Sequence, residues 1–136
     1  AFDVGGYTDY SSRVQAACPW YPPTDISGFP YNSPVEAAAS PESLMLGMNV
    51  MLQKEEALKA CPVSFVTKDA PPFMILHGID DHTVPFGQGE VLHDKLEEAG
   101  CDVRLIAIAG ADHADKQFFQ RETWKWIADF FHEKLG

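Results

Sequence analysis

Residues 73–85 read Phe73-Met74-Ile75-Leu76-His77-Gly78-Ile79-Asp80-Asp81-His82-Thr83-Val84-Pro85, and this stretch decides the fold. Phe73 to Leu76 is a short apolar run and reads as a strand. It passes through His77-Gly78 straight into an acidic loop. Gly87 to Ala99 then reads as a helix, with Leu92, Leu96 and Ala99 on one face and Gly100 where a C-cap belongs. Asp102 to Ile108 reads as a second strand. Its Leu105-Ile106-Ala107-Ile108 core does not alternate, as in strands covered on both faces. A loop, Ala109-Gly110-Ala111-Asp112-His113, leads to a helix predicted over Lys116 to Leu135, with Trp124, Ile127, Ala128, Phe131 and Leu135 on one stripe. Strand, helix, strand, helix specifies an α/β fold with a parallel sheet and right-handed crossovers.

Upstream, residues 1–12 are polar and read as loop. Arg13 to Cys18 is a short apolar run that Pro19 ends, and it predicts a third strand. Five prolines between Pro19 and Pro34 exclude regular structure and mark a long surface excursion. Ser33-Pro34 and Ser40-Pro41 each read as an N-cap followed by proline in the first turn, and Gly47 as a stop. Asn49 to Ala60 reads as a helix ended by Pro62, and Val63 to Pro72 as a connector. The predicted organisation is one partial domain over 1–136. Residues 19–68 form the loop and short-helix excursion, and 69–136 carry the strand-helix-strand-helix unit.

Composition sets limits. Ten basic residues against 20 acidic ones leave a formal charge of −10, which argues against a nucleic-acid surface. No stretch reaches the ~20 apolar residues of a membrane span, and no basic, apolar signal segment opens the chain. Cys18, Cys61 and Cys101 show neither metal spacing nor the density of a disulfide scaffold, and read as buried thiols.

Three stretches carry a resemblance to the C-terminal half of an α/β-hydrolase, in the esterase/lipase group that includes acetyl-xylan and feruloyl esterases. Prolyl-oligopeptidase-type peptidases are more distant relatives. Tyr10 to Ala16 with Trp20-Tyr21-Pro22-Pro23-Thr24-Asp25 is similar to the strand and loop after the nucleophile helix. Lys68 to Gly78, continuing through Val84-Pro85-Phe86, is similar to the strand and loop bearing the triad acid. Gly110-Ala111-Asp112-His113 is similar to the triad histidine loop. The resemblance implies that Asp81 is the triad acid and His113 the triad base, in the hydrolase order Ser…Asp…His. It also implies that the oxyanion-hole motif, five strands and the G-x-S-x-G serine precede residue 1. Two positions depart from the pattern: the family usually has glycine at Pro22 and at Ala114.

Rival readings exist for most of these residues. Asp80 competes with Asp81 at one position's remove. His77 reads as structural, hydrogen-bonding beneath the acid loop, and His82, His93 and His132 as solvent-facing. Trp20 and Tyr21 fit either a pocket lining or core packing, and Phe118, Phe119, Trp124 and Trp126 fit core packing. The Asp/His clusters at 80–82 and 112–115 lack metal-ligand spacing, so neither metal nor cofactor is expected. None of Ser11, Ser12, Ser27, Ser33, Ser40, Ser43 and Ser64 lies in G-x-S-x-G. Cys18 ends a strand, but a Pro-rich loop follows where a pKa-lowering helix would be needed. The chain is therefore expected to be an ester-hydrolase fragment without its nucleophile. Its expected partner is the N-terminal half of the same hydrolase, or a second copy paired through an exposed edge strand at 14–18. A small ester is the expected substrate. The alternatives are a non-catalytic binding or assembly remnant and a serine-peptidase fragment.

Overall fold

The structure, a computed structural model, describes residues 5–136. Two parallel strands, β1 (Phe73–Gly78) and β2 (Val103–Ile108), pair residue for residue from Phe73 with Val103 to Gly78 with Ile108. Between them runs helix α4 (Gly87–Glu98). Helix α5 (Arg121–Leu135) follows β2. Three short helices, α1 (Pro34–Ala38), α2 (Pro41–Leu46) and α3 (Lys54–Leu58), lie in the upstream excursion. No helix among the described residues is long and apolar enough to cross a membrane.

The expected third strand is present only as an irregular parallel segment, shifted to residues 17–21. Ala17 N–H donates to Pro72 O, Met74 N–H to Ala17 O, Leu76 N–H to Pro19 O and Tyr21 N–H to Leu76 O, all within 2.7–3.0 Å. A regular ladder would also carry a bond from residue 19 to Met74 O. Pro19 has no N–H, so that rung is lost and the strand breaks into two isolated bridges. β1 is thus the middle of three parallel segments, and Met74 to Gly78 are all buried. Its alternate side chains face opposite layers. Met74 and Leu76 pack with Phe118, Ile127 and Phe130 on the α5 side, whereas Ile75 packs with Leu92 and Leu96 of α4. β2 departs from expectation: Arg104 and Ala107 are exposed and the rest of the strand is half-buried, so it is an edge rather than a doubly covered strand.

The helix ends follow their sequence signals. Ser33 and Ser40 accept N–H bonds from Glu36 and Ser43, and Gly47 stops α2 at φ 67°. Gly100 stops α4 at φ 77°, with its own N–H on Glu97 O and Cys101 N–H on Leu96 O. That pair of bonds is a Schellman cap, and the left-handed turn suits glycine. Two helices are shorter than predicted. Of 49–60 only Lys54–Leu58 is α-helical, because the Asn49 carboxamide oxygen takes the N–H groups of Met51 and Leu52 and holds a turn instead. Of 116–135, Lys116–Phe119 is a 3₁₀ turn capped by Asp115, and Gln120 at ψ 154° separates it from α5. The buried stripe of α5 is Thr123, Ile127 and Phe130, whereas Trp124, Ala128 and Leu135 are exposed. Phe118 is fully buried, but Phe119 and Trp126 are not.

A buried amide ties the Pro-rich excursion to the start of α4. Gln88 Oε1 accepts from the N–H groups of Thr24 (2.9 Å) and Asp25 (2.7 Å), its Nε2 donates to Asp25 O (3.0 Å), and Thr24 Oγ1 donates to Gln88 O (2.5 Å). Gln88→Leu keeps the volume but strands two N–H donors. It is expected to cost about 2–4 kcal/mol in urea unfolding, as buried unsatisfied donors do.

Candidate active site

β1 and β2 run parallel, so the loops after them emerge at the same sheet edge, where open α/β sheets build their sites. The β1 loop carries Asp81 and the β2 loop carries His113. His113 Nδ1 donates to Asp81 Oδ2 over 2.8 Å. The Asp81 side chain is fully buried, and that of His113 retains 28% exposure. Asp81 Oδ1 accepts the N–H groups of Thr83 (2.9 Å) and Val84 (2.7 Å), which fixes the carboxylate within its own loop. With Nδ1 committed to the Asp81 carboxylate, Nε2 is the ring nitrogen left to take up or release a proton. Asp80 is exposed and takes no part; its N–H donates to Ala111 O (3.1 Å).

His77 lies beneath this pair with no exposure. Its Nε2 donates to Val84 O at 2.9 Å and stands 3.6 Å from Asp81 Oδ2, too far for a second bond. Nδ1 is buried without a partner, facing Gly89, where a Cβ would sit 2.7 Å away. Burial pushes the imidazole below its ordinary pKa, outweighing the upward pulls of the Val84 carbonyl and Asp81. The unfolded chain therefore takes up this proton first, at about pH 6.5. The stability contribution is complete above that pH and is lost as pH falls toward the lower folded value. His77→Asn is expected to flatten the fall in melting temperature between about pH 7 and pH 5.

Tyr21 packs its ring against His113, centroids 4.2 Å apart, and edge-on against Phe118 at 4.9 Å. Both Tyr21 (φ 37°) and Ala114 (φ 53°) are left-handed without being glycine. The strained backbone thus flanks the imidazole, as it often does at functional sites. Trp20 lies beside Phe118, Phe119 and Trp124, at 5.4–6.0 Å. An apolar cavity of about 460 Å³, lined by Pro19, Pro22, Phe65, Leu92 and Leu96 among others, includes neither Asp81 nor His113.

Five of the seven serines have structural work elsewhere. Ser27 donates to Asp25, Ser33 and Ser40 cap helices, Ser43 accepts from Val50 N–H, and Ser64 donates to Leu58 O. Among the described residues no serine hydroxyl hydrogen-bonds to His113. The three cysteines are free thiols; Cys61 is buried, and Cys18 and Cys101 are half-buried. His82 and His132 are exposed as expected, whereas His93 is half-buried, with Nδ1 3.0 Å from Asp94. Ligand atoms of His93, Asp94 and Glu97 lie within 4.8 Å of one another on the solvent side of α4. Asp94 and Glu97 are both exposed, and nothing else at that face points to an ion. Asp112 and Gln88 were not singled out by sequence reasoning as individual site or core residues. An aspartate directly before the histidine was the available signal for the first; the second had none.

Comparison with known proteins decides the family. The BD-FAE family model matches residues 2–96, most of the chain and the whole Asp81 loop. The chain belongs to the BD-FAE family. Among curated relatives of this family member, the probable carboxylic ester hydrolase LipM of Mycobacterium tuberculosis is 31% identical over 99 residues, 68% of this chain and 22% of that protein. Esterase LipQ of the same organism is 28% identical over 80% of this chain and 26% of its own length. Among solved structures, a truncated carbohydrate esterase from gut microbiota superposes with a TM-score of 0.84 at 27% identity, over 96% of this chain and 46% of its own. A bifunctional GH43-CE protein of Bacteroides eggerthii gives 0.82 at 28% identity, over 98% of this chain and 18% of its own. The chain is therefore an α/β-hydrolase unit similar to part of these esterases, and it spans about a quarter of LipM and LipQ and under half of these solved neighbours.

Proposed function

We propose that this chain supplies the acid and the base of a serine carboxylic-ester hydrolase whose nucleophile lies outside these 136 residues. The observation that carries the reading is the 2.8 Å bond from His113 Nδ1 to the buried Asp81 carboxylate. In this scheme a serine hydroxyl gives its proton to His113 Nε2 as it attacks the ester carbonyl. Asp81 holds the tautomer and stabilises the imidazolium, and His113 then returns the proton to the leaving alcohol. Joining the chain to an upstream half bearing G-x-S-x-G tests this. Hydrolysis of p-nitrophenyl acetate should appear in the joined protein and be near zero in the 136-residue chain. A joined, folded protein without hydrolysis would count against the reading. A serine-peptidase reading draws on a shorter match, 28% identity over 88 residues to 10% of the acylamino-acid-releasing enzyme of Rattus norvegicus.

The partner surface in this proposal is the outer edge of the 17–21 segment. Residues 17, 19 and 21 bond inward to β1, so Cys18 and Trp20 point their backbone groups outward. An open edge of this kind invites pairing, either with a further strand of the same hydrolase or antiparallel with a second copy. Size-exclusion chromatography with light scattering should find the isolated chain dimeric or self-associating. A monodisperse monomer would argue against both forms of pairing.

A further inference from the structure

The acidic residues around the pair include one that the proposed chemistry does not use. Asp112 Oδ1 accepts the N–H of His82 at 2.9 Å and the N–H of His113 at 2.7 Å. Its Oδ2 stands 3.3 Å from His82 Nδ1. His82 directly follows Asp81, and His113 directly follows Asp112. A single carboxylate oxygen therefore bridges the acid loop and the histidine loop one residue away from each member of the pair. The loops are joined nearby by Asp80 N–H to Ala111 O and by Ile79 N–H to Ile108 O, both backbone bonds nearer the strands. The Asp112 bridge joins the residues next to Asp81 and His113 themselves.

We propose that Asp112 is a positioning residue, a clip between the two loops that sets His113 at bonding distance from Asp81. The inference rests on the proposed roles of Asp81 and His113, but its geometry does not depend on a nucleophile. The bridging N–H groups of His82 and His113 hold the Asp112 carboxyl below the ordinary carboxylate range, in that order of importance. The acceptor is therefore charged at neutral pH, and charge-assisted bonds are the stronger kind. His82 contributes its backbone N–H to the clip; its exposed imidazole is accessory.

The test uses the full 136-residue chain and the imidazole NMR signals of His113, with thermal unfolding alongside. In Asp112→Ala, solvent exchange of the His113 Nδ1 proton should quicken by about tenfold or more, as loss of charge-assisted bonds from an exposed clip implies. Asp112→Asn keeps an oxygen in the bridging position without the charge and should restore part of the protection. His82→Ala keeps its N–H and should leave exchange close to wild type. An Asp112→Ala chain with unchanged His113 exchange would overturn the proposal. So would Asp112→Asn as disturbed as Asp112→Ala at an unchanged melting temperature. These readouts need no turnover, so they stand or fall apart from ester hydrolysis.

Discussion

Asp81→Asn is expected to lower kcat for p-nitrophenyl acetate by ~10³–10⁴ in the chain joined to an upstream half bearing G-x-S-x-G, with KM nearly unchanged. Two effects combine. The amide offers NH₂ where His113 Nδ1–H needs an acceptor, so the imidazole either turns or takes the other tautomer. The developing imidazolium also loses its countercharge. His113→Ala should be as low or lower, and the double variant should be no worse than the poorer single one, because the two residues act as a unit. Asp81→Asn keeps an oxygen for the N–H groups of Thr83 and Val84, so its own loop should lose only the charge assistance of those two bonds. A circular-dichroism melt separates that loss from the kinetic one. Asp80→Asn is the control and should leave kcat within about twofold, since its carboxylate lies outside the pair.

Gly78→Ala is expected to destabilise the chain by about 3 kcal/mol, near the upper end for overpacking. Gly78 is buried at the end of β1, opposite Ile108. A Cβ there would overlap the carbonyl oxygen of Ala111 and crowd its carbonyl carbon and methyl. The obstacle is backbone and cannot swing aside as a side chain would. The same Ala111 carbonyl takes the Asp80 N–H, so the substitution pushes the acid loop off the histidine loop. Urea unfolding should show the lost stability, and the His113 Nδ1–H signal should broaden or vanish. Gly89→Ala tests the layer below. Its methyl meets His77 Nδ1, which belongs to a side chain, so its cost should be smaller.

The residues that were legible in sequence are those whose signal is local. Gly100 needs a left-handed turn, Ser33 and Ser40 precede prolines, and both predictions agree with the caps observed. The H-G-x-x-D-x-x-V-P stretch placed Asp81 on the loop after β1, and the geometry brings His113 to it. Signals that depend on tertiary context were read less well. The α5 segment is apolar around more than one stripe, with tryptophans at 124 and 126 and phenylalanines at 130 and 131, so periodicity fitted a face rotated from the true one. The edge strand was placed too early because its apolar residues end at Cys18, whereas pairing with β1 continues across Pro19 to Tyr21. The β2 core looked doubly covered because its four residues are apolar, but no pattern in the strand says what lies outside it. Asp112 was one of several acids near two histidines. Its role appears only once the two loops are side by side.

The central claim is that this chain manages the proton while another part of the protein supplies the attacking oxygen. Mass spectrometry of the joined protein after treatment with an organophosphorus ester tests it most directly, because such reagents bond covalently to an activated serine. The account predicts one adduct on a serine outside residues 1–136, lost in His113→Ala, and no adduct on the isolated chain. An adduct on Ser11, Ser12, Ser27, Ser33, Ser40, Ser43 or Ser64, or labelling that persists without His113, would contradict it.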